Sequence, residues 1–276
     1  MEITRDQQIL LDSLVCERLS SSEQNLDLIQ TFCNARNDGI AETLRKNAWN
    51  DDKEGSVAFY VVKNAQGDVL FFFSLKCGGL HDPLDDKNIA LSKKISEILR
   101  KIVCEKDVEA KKAAKLIEQI RSGYGLGKDD ILEILKKEAL EKRLESENEN
   151  ITRVGFTYSG IELVHFCAND LARSIWTSYK MPHSLGTVVF WKMIVPIVLR
   201  AKELIGCKYL FLFAADTSDE KSLINFYRNR LHFEESSDLG VLKPLYDLCC
   251  KFMSQSTLTL SSDAVRFWKN FNQEEV

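Results

Sequence analysis

The sequence predicts an α/β fold of the α+β kind, a mixed sheet containing one parallel strand pair, with helices on its faces. Three observations carry that expectation. Between Gly160 and Phe233 a strand-like run, a small-residue turn, a long apolar helix, a second strand and an amphipathic helix follow in order. Upstream, residues Val57 to Lys63 and Val69 to Lys76 are β-rich and are separated by Asn64, Ala65, Gln66, Gly67 and Asp68, which is the pattern of a hairpin. Between these two regions, 31 of the 70 residues in the stretch 81–150 are Asp, Glu, Lys or Arg. Apolar residues recur there at helical spacing, so the chain reads as a single domain over 1–276 with a helical insertion at 81–150.

Taken in order, Leu14 to Leu19 forms a first strand. Ser20 to Ser22 and Glu23 then cap a helix carrying Leu26, Ile29 and Phe32, and a second short helix runs from Asp38 to Ala48. The hairpin follows. In the insertion, three amphipathic helices are marked by Ile95, Ile98, Leu99 and Ile102, by Leu116, Ile117 and Ile120, and by Ile131, Ile134, Leu135 and Leu144. Their acidic and basic residues nearly cancel, which favours a solvated helical subdomain over a charged tail. It reads as structural decoration, a homodimer contact or a lid over substrate. Gly123, Gly125 and Gly127 inside it follow a charged helix rather than a buried strand, so they mark a turn and not a nucleotide loop.

Beyond the insertion, Ile161 to Ala168 is apolar or β-branched enough to be a buried strand. A polar connector leads to a turn at Ser184, Leu185 and Gly186. Apolar residues then recur from Val188 to Leu204, with Gly206 as C-cap and Pro196 as a kink in mid-helix. A small-residue loop opening a helix presents unpaired backbone amides and a positive dipole end to phosphate oxygens. Tyr209 to Ala215 is a second buried strand, and Asp216 to Ser218 caps the next helix. Strand, loop, helix and parallel strand make one βαβ crossover. Leu248, Cys250 and Phe252 alternate with polar residues as a closing strand. Ser262 or Asp263 caps a last helix with Val265, Phe267, Trp268 and Phe271 on its apolar face.

The region from Gly160 to Phe233 resembles the acetyl-CoA-binding half of the GNAT N-acetyltransferase superfamily. Met181, Pro182, His183, Ser184, Leu185 and Gly186 stand at the positions of that family's Gln/Arg-x-x-Gly-x-Gly/Ala loop, with Ser184 replacing the first glycine. Leu223, Phe226, Tyr227, Leu231, His232 and Phe233 match its closing Leu-x-x-Phe-Tyr-x-x-x-Leu-Gly-Phe pattern, with His232 in place of glycine. The resemblance implies a mostly antiparallel sheet around a central parallel pair, and acetyl-CoA as co-substrate for direct attack by an amine acceptor. The backbone of Val164, His165, Phe166 and Cys167 would pair with the pantetheine arm. Lys180, His183, Ser184, Leu185, Gly186, Thr187 and Val188 would hold the diphosphate. Tyr227 would protonate the departing thiolate, a role open to a phenol with a pKa of about 10. Glu162 and His165 compete for the role of general base, and period-two alternation sends them to opposite faces of the strand. Asp170 is a weaker third candidate, and Cys167 reads as an apolar filler rather than a nucleophile.

Two further classes stay open: a non-catalytic acyl-CoA or protein-binding module, and a toxin-like transferase acting on aminoacyl-tRNA through a local basic cleft of Lys180, Arg173 and Arg228. The net charge of −4 argues against nucleic acid as a general partner. Eight cysteines without CxxC spacing or a signal peptide point to a reduced, cytoplasmic setting. The longest apolar runs, such as Val69 to Leu75, are too short to span a bilayer. His81, His165, His183 and His232 lack metal-ligand spacing, so no metal is expected.

Overall fold

A computed structural model describes residues 3–81, 118, 122–123, 157–216, 218–235, 239–241 and 250–271. The chain divides into two compact units, residues 1–81 with 157–276, and residues 82–156. The helices expected over 81–150 lie outside the described residues, apart from Glu118, Ser122 and Gly123, which are helical.

The first unit opens with α1 (Arg5–Ser13), which the sequence reading did not anticipate. Its signal is a capping box, in which the Gln7 amide donates to Thr4 Oγ1 while Gln7 Oε1 accepts from the Thr4 amide. Next come β1 (Val15–Arg18), a 3₁₀ turn at Leu19–Ser21 and α2 (Gln24–Gln30). The expected second helix is two, α3 (Asp38–Lys46) and α4 (Ala48–Glu54), which break at Asn47. The hairpin is present as β2 (Ala58–Lys63) and β3 (Val69–His81), paired antiparallel.

The next described strand and helix are β4 (Thr157–Ala168) and α5 (Asp170–Ser178), a helix where a polar connector was expected. Asn169 caps α5 through the Leu171 amide, and Ala172 and Trp176 turn inward. The long helix is composite: α6 (Leu185–Val189), a π turn over Phe190–Ile194 and α7 (Val195–Ile205). The Val195 amide reaches back to Phe190 O, so the ladder widens one residue ahead of Pro196, which has no amide to donate. The remainder is β5 (Tyr209–Ala214), α8 (Ser222–Leu231), β6 (Glu234–Glu235), β7 (Gly240–Val241), β8 (Lys251–Ser256) and α9 (Leu260–Asn270). His232, which stands where the resembled motif has glycine, has a φ of 61° and ends α8 in the left-handed region. Its ring packs edge-on against Trp191 at 5.1 Å.

The strands form a sheet ordered β1-β2-β3-β4-β5-β8-β6, with β7 against β3. Every pairing is antiparallel except β4 with β5. One face is covered by a large core around Phe71, Phe73, Phe190, Trp191 and Phe233, and the other carries a smaller core around Phe32, Phe59 and Phe72. The parallel pair is short. It joins Gly160, Ile161 and Glu162 to Tyr209, Leu210 and Phe211 and goes no further.

Two cross-strand glycines hold that junction. Gly78 and Gly160 face each other across β3 and β4, and the Phe211 ring fills the space their side chains would take. A Cβ on Gly160 would stand 2.9 Å from both the Phe211 ring and Leu80, whereas one on Gly79 would meet nothing within 4 Å. Gly160→Ala should therefore cost about 1–3 kcal/mol in urea unfolding, while Gly79→Ala should change stability by less than about 0.5 kcal/mol.

Candidate active site

Past Glu162 and Phe211, β4 and β5 part, while β5 stays paired with β8 as far as Ala214. From Leu163 onward β4 has no partner strand on its β5 side among the described residues. A cavity of about 670 Å³ occupies this gap. Its walls are β4 residues Glu162 to Ala168, Phe213 and Ala215 from the β5 side, Ser222, Leu223 and Tyr227 from α8, and Asn34, Arg36, Asn37 and Ile40 from the α2–α3 region.

The alternation expected along β4 fails at one residue. Ser74 pairs with His165 but the next β3 residue, Leu75, pairs with Leu163, so Val164 is an extra residue bulged out of the ladder. Ile161 and Leu163 pack in the large core, and after the bulge Phe166 and Ala168 take that face. Glu162, His165 and Cys167 consequently share the opposite face. Sequence reasoning placed Glu162 and His165 on opposite faces because a bulge shifts parity without any fixed residue signature.

Tyr227 reaches the cavity from the other side. Its ring packs 6.1 Å from Phe233 and 6.3 Å from Phe166, and none of the described residues hydrogen-bonds to its hydroxyl. Burial, with smaller contributions from Cys167 and Asp216, holds its pKa well above the ordinary phenol value, so it is protonated throughout the neutral range. Asp216 sits at the start of α8, where it accepts from the Leu223 and Ile224 amides at 2.8 and 3.0 Å. Burial raises its pKa, but hydrogen bonds from Ser218, Ile224 and Leu223 together outweigh that and lower it.

His165 is stacked on Phe59 at 5.3 Å and hydrogen-bonded through Nδ1 to Ser74 Oγ at 2.7 Å. Burial lowers its pKa, partly opposed by Asp51, so the ring is neutral at pH 7. The Cys167 thiol accepts from Asn34 Nδ2 at 3.3 Å, and burial pushes its pKa up to about 12, which keeps it a thiol and removes it as a nucleophile. Asp170 is committed elsewhere, accepting from the Ala35 amide at 2.7 Å and pairing with Arg173 at 3.8 Å.

The expected phosphate loop does not join this cavity. None of residues 180–188 lines it. Ser184 is the N-cap of α6, taking the Thr187 amide on its Oγ at 3.2 Å and the Val188 amide on its carbonyl at 3.1 Å. The Thr187 and Val188 amides are thus spent inside the helix, leaving those of Leu185 and Gly186 in the first turn. His183 is corrected more firmly. Its ring is buried between Phe267 and Phe271, and Nε2 bonds to Phe271 O at 3.0 Å, so it docks α9 rather than facing a ligand. The Lys180 carbonyl receives Gln7 Nε2 from α1 at 3.0 Å, and its φ of 48° closes the turn after α5. Gly186 lies against the Phe166 and Phe226 rings, 3.2 and 3.5 Å from where a Cβ would stand, and this is its link to the cavity wall. Asn34 and Arg36 were missed, because nothing in their local sequence announces that the α2–α3 connection folds over β4.

No protein-family model matches the chain, and no curated protein does. Solved structures do. The crystal structure of AtaTR bound with AcCoA aligns over 91% of this chain and 98% of its own, with a TM-score of 0.50 at 12% identity. A KacTA–DNA complex aligns over 92% and 99%, with a TM-score of 0.48 at 10% identity. The fold is thus the GNAT type, a mostly antiparallel mixed sheet with one splayed parallel pair. Among the described residues no helix is long and apolar enough to cross a membrane, and no cluster of His, Cys, Asp or Glu could hold a metal ion.

His165 sets a direction for stability with pH. Its folded-state pKa lies below the unfolded value of about 6.5, so its contribution is complete above that value and is lost as pH falls through the folded pKa. Urea unfolding should show stability dropping from about pH 6.5 downward, and His165→Phe should flatten that limb.

Proposed function

We propose that the protein is an N-acetyltransferase that moves an acetyl group from acetyl-CoA to an amine by direct attack. The observation carrying this reading is the cavity where β4 and β5 part, with Tyr227 on one wall and Glu162 with His165 on the other. An unpaired strand edge offers amides and carbonyls that an extended pantetheine arm can match, as an added strand would. A ligand with its own peptide-like groups can replace the water that otherwise satisfies them. The likeness of the fold to a structure bound with AcCoA supports the same co-substrate.

In this reading the thioester lies along Val164 to Cys167, with its sulfur toward Tyr227. A neutral amine, delivered from the Asn34–Ile40 side, attacks the thioester carbon, forming the C–N bond as the C–S bond breaks. The excess amine proton passes to Glu162, directly or through water. The Tyr227 hydroxyl donates to the sulfur as negative charge develops there. The buried phenol stays protonated before each turnover. Most of the rate effect comes from holding amine and thioester together. The Leu185 and Gly186 amides at the start of α6 would serve the diphosphate, without help from His183.

Thermal unfolding with acetyl-CoA, free CoA and ADP tests the reading first. Acetyl-CoA at about 100 times its dissociation constant should stabilise the fold by about 2.7 kcal/mol. The absence of any shift at millimolar ligand would transfer the cavity to a non-catalytic binding role. If acetyl-CoA binds, Tyr227→Phe should lower kcat by about 100-fold or more with little change in coenzyme affinity. Glu162→Gln should lower kcat/KM for the amine, with little change in coenzyme affinity. An amine acceptor found by screening allows both to be measured by thiol release.

A further inference from the structure

We propose that Ser74 holds His165 in the Nε2–H tautomer, making the imidazole a hydrogen-bond donor to the cavity rather than a proton acceptor. Ser74 lies on β3 directly opposite His165 and is fully buried. Its Oγ is 2.7 Å from His165 Nδ1, the one hydrogen-bond partner of that hydroxyl among the described residues. A neutral imidazole has one N–H and one bare nitrogen. If Nδ1 carried the proton it would donate to Oγ, and the serine proton would be left in the sheet interior without an acceptor. If Nδ1 is bare, the serine donates to it and both groups are satisfied. The ring proton then resides on Nε2.

The ring cannot easily exchange these roles by turning over. Phe59 stacks on it at 26°, and Phe72 packs against it at 6.1 Å. His165 lies on the cavity wall with Asn34 and Arg36, on the face of the sheet opposite the core that contains Tyr227. On the transferase reading, on which this role rests, the Nε2–H stands on the acceptor side of the thioester. It would hold a carbonyl or carboxylate oxygen next to the reacting amine. Base work then falls to Glu162, since a nitrogen that already carries its proton has no lone pair for the proton of an amine. Ser74 acts only through His165 and is a positioning residue.

Long-range ¹H–¹⁵N correlation spectra of the unliganded protein labelled with ¹⁵N-histidine, at about pH 7.5 where the ring is neutral, read the tautomer directly. The His165 signals are assigned by their loss in His165→Phe. A pyrrole-type nitrogen at Nε2 and a pyridine-type nitrogen at Nδ1 are expected, and the reverse overturns the proposal. In Ser74→Ala the preference for Nε2–H should fall by about tenfold, the worth of one hydrogen bond. An unchanged preference would overturn the role of Ser74. Should that variant not fold, Ser74→Cys, with a weaker donor of similar size, serves the same comparison. Neither spectrum depends on coenzyme, so failure of acetyl-CoA to bind would refute the transferase reading while leaving the tautomer result to be judged alone.

Discussion

The brief contact between β4 and β5 governs what the rest of the molecule can do. Two parallel strands that paired along their full length would close the sheet and leave no gap for a ligand. Here three residue pairs join them, with the Phe211 ring seated on Gly78 and Gly160 to fix their approach. Beyond that point β5 follows β8 while β4 follows β3, and the strands must diverge. The polar backbone edge of β4 is then exposed to the cavity, where it needs water or a ligand to satisfy it.

The Val164 bulge adds a second constraint on the same strand. Without it, β4 would present His165 to the large core and Glu162 to the opposite face, and a polar site could not form on one side. The extra residue puts Glu162, His165 and Cys167 on one face, next to Asn34 and Arg36. Phe166, turned the other way, packs with Tyr227 and Gly186. One strand therefore serves both halves of the site: its edge faces the expected thioester, one face carries the acidic and imidazole groups, and the other supports the phenol.

The helices behind the site are fixed by contacts far apart in sequence. Trp191 donates from Nε1 to Arg230 O at 3.1 Å, tying the composite helix to α8, and His183 ties the loop before α6 to α9. Buried polar groups of this kind are satisfied one by one. They explain why a histidine expected at a diphosphate is instead part of the core: its Nε2 is committed, and the Phe267 and Phe271 rings cover it.

Local chemistry made much of this legible from the chain alone. The hairpin turn, the buried run Ile161 to Ala168, the small-residue opening of the long helix, the strand from Tyr209 and the Asp216 cap each follow from propensity, periodicity or capping within a few residues. Their order was enough to define the mixed sheet and its single parallel pair. Tyr227 was legible only through a resemblance, the match of Leu223, Phe226, Tyr227, Leu231 and Phe233 to a known closing motif. What the tertiary structure alone decided depends on residues that meet across the sheet. The bulge at Val164 arises from the register between β3 and β4, so it reverses the faces of Glu162 and His165 with no sign in β4 itself. The Ser74–His165 bond joins residues 91 positions apart, and the Asn34 and Arg36 wall depends on how the α2–α3 connection folds over the sheet. Periodicity reports which residues are apolar and how often they recur; which partner each one meets is set by three-dimensional packing.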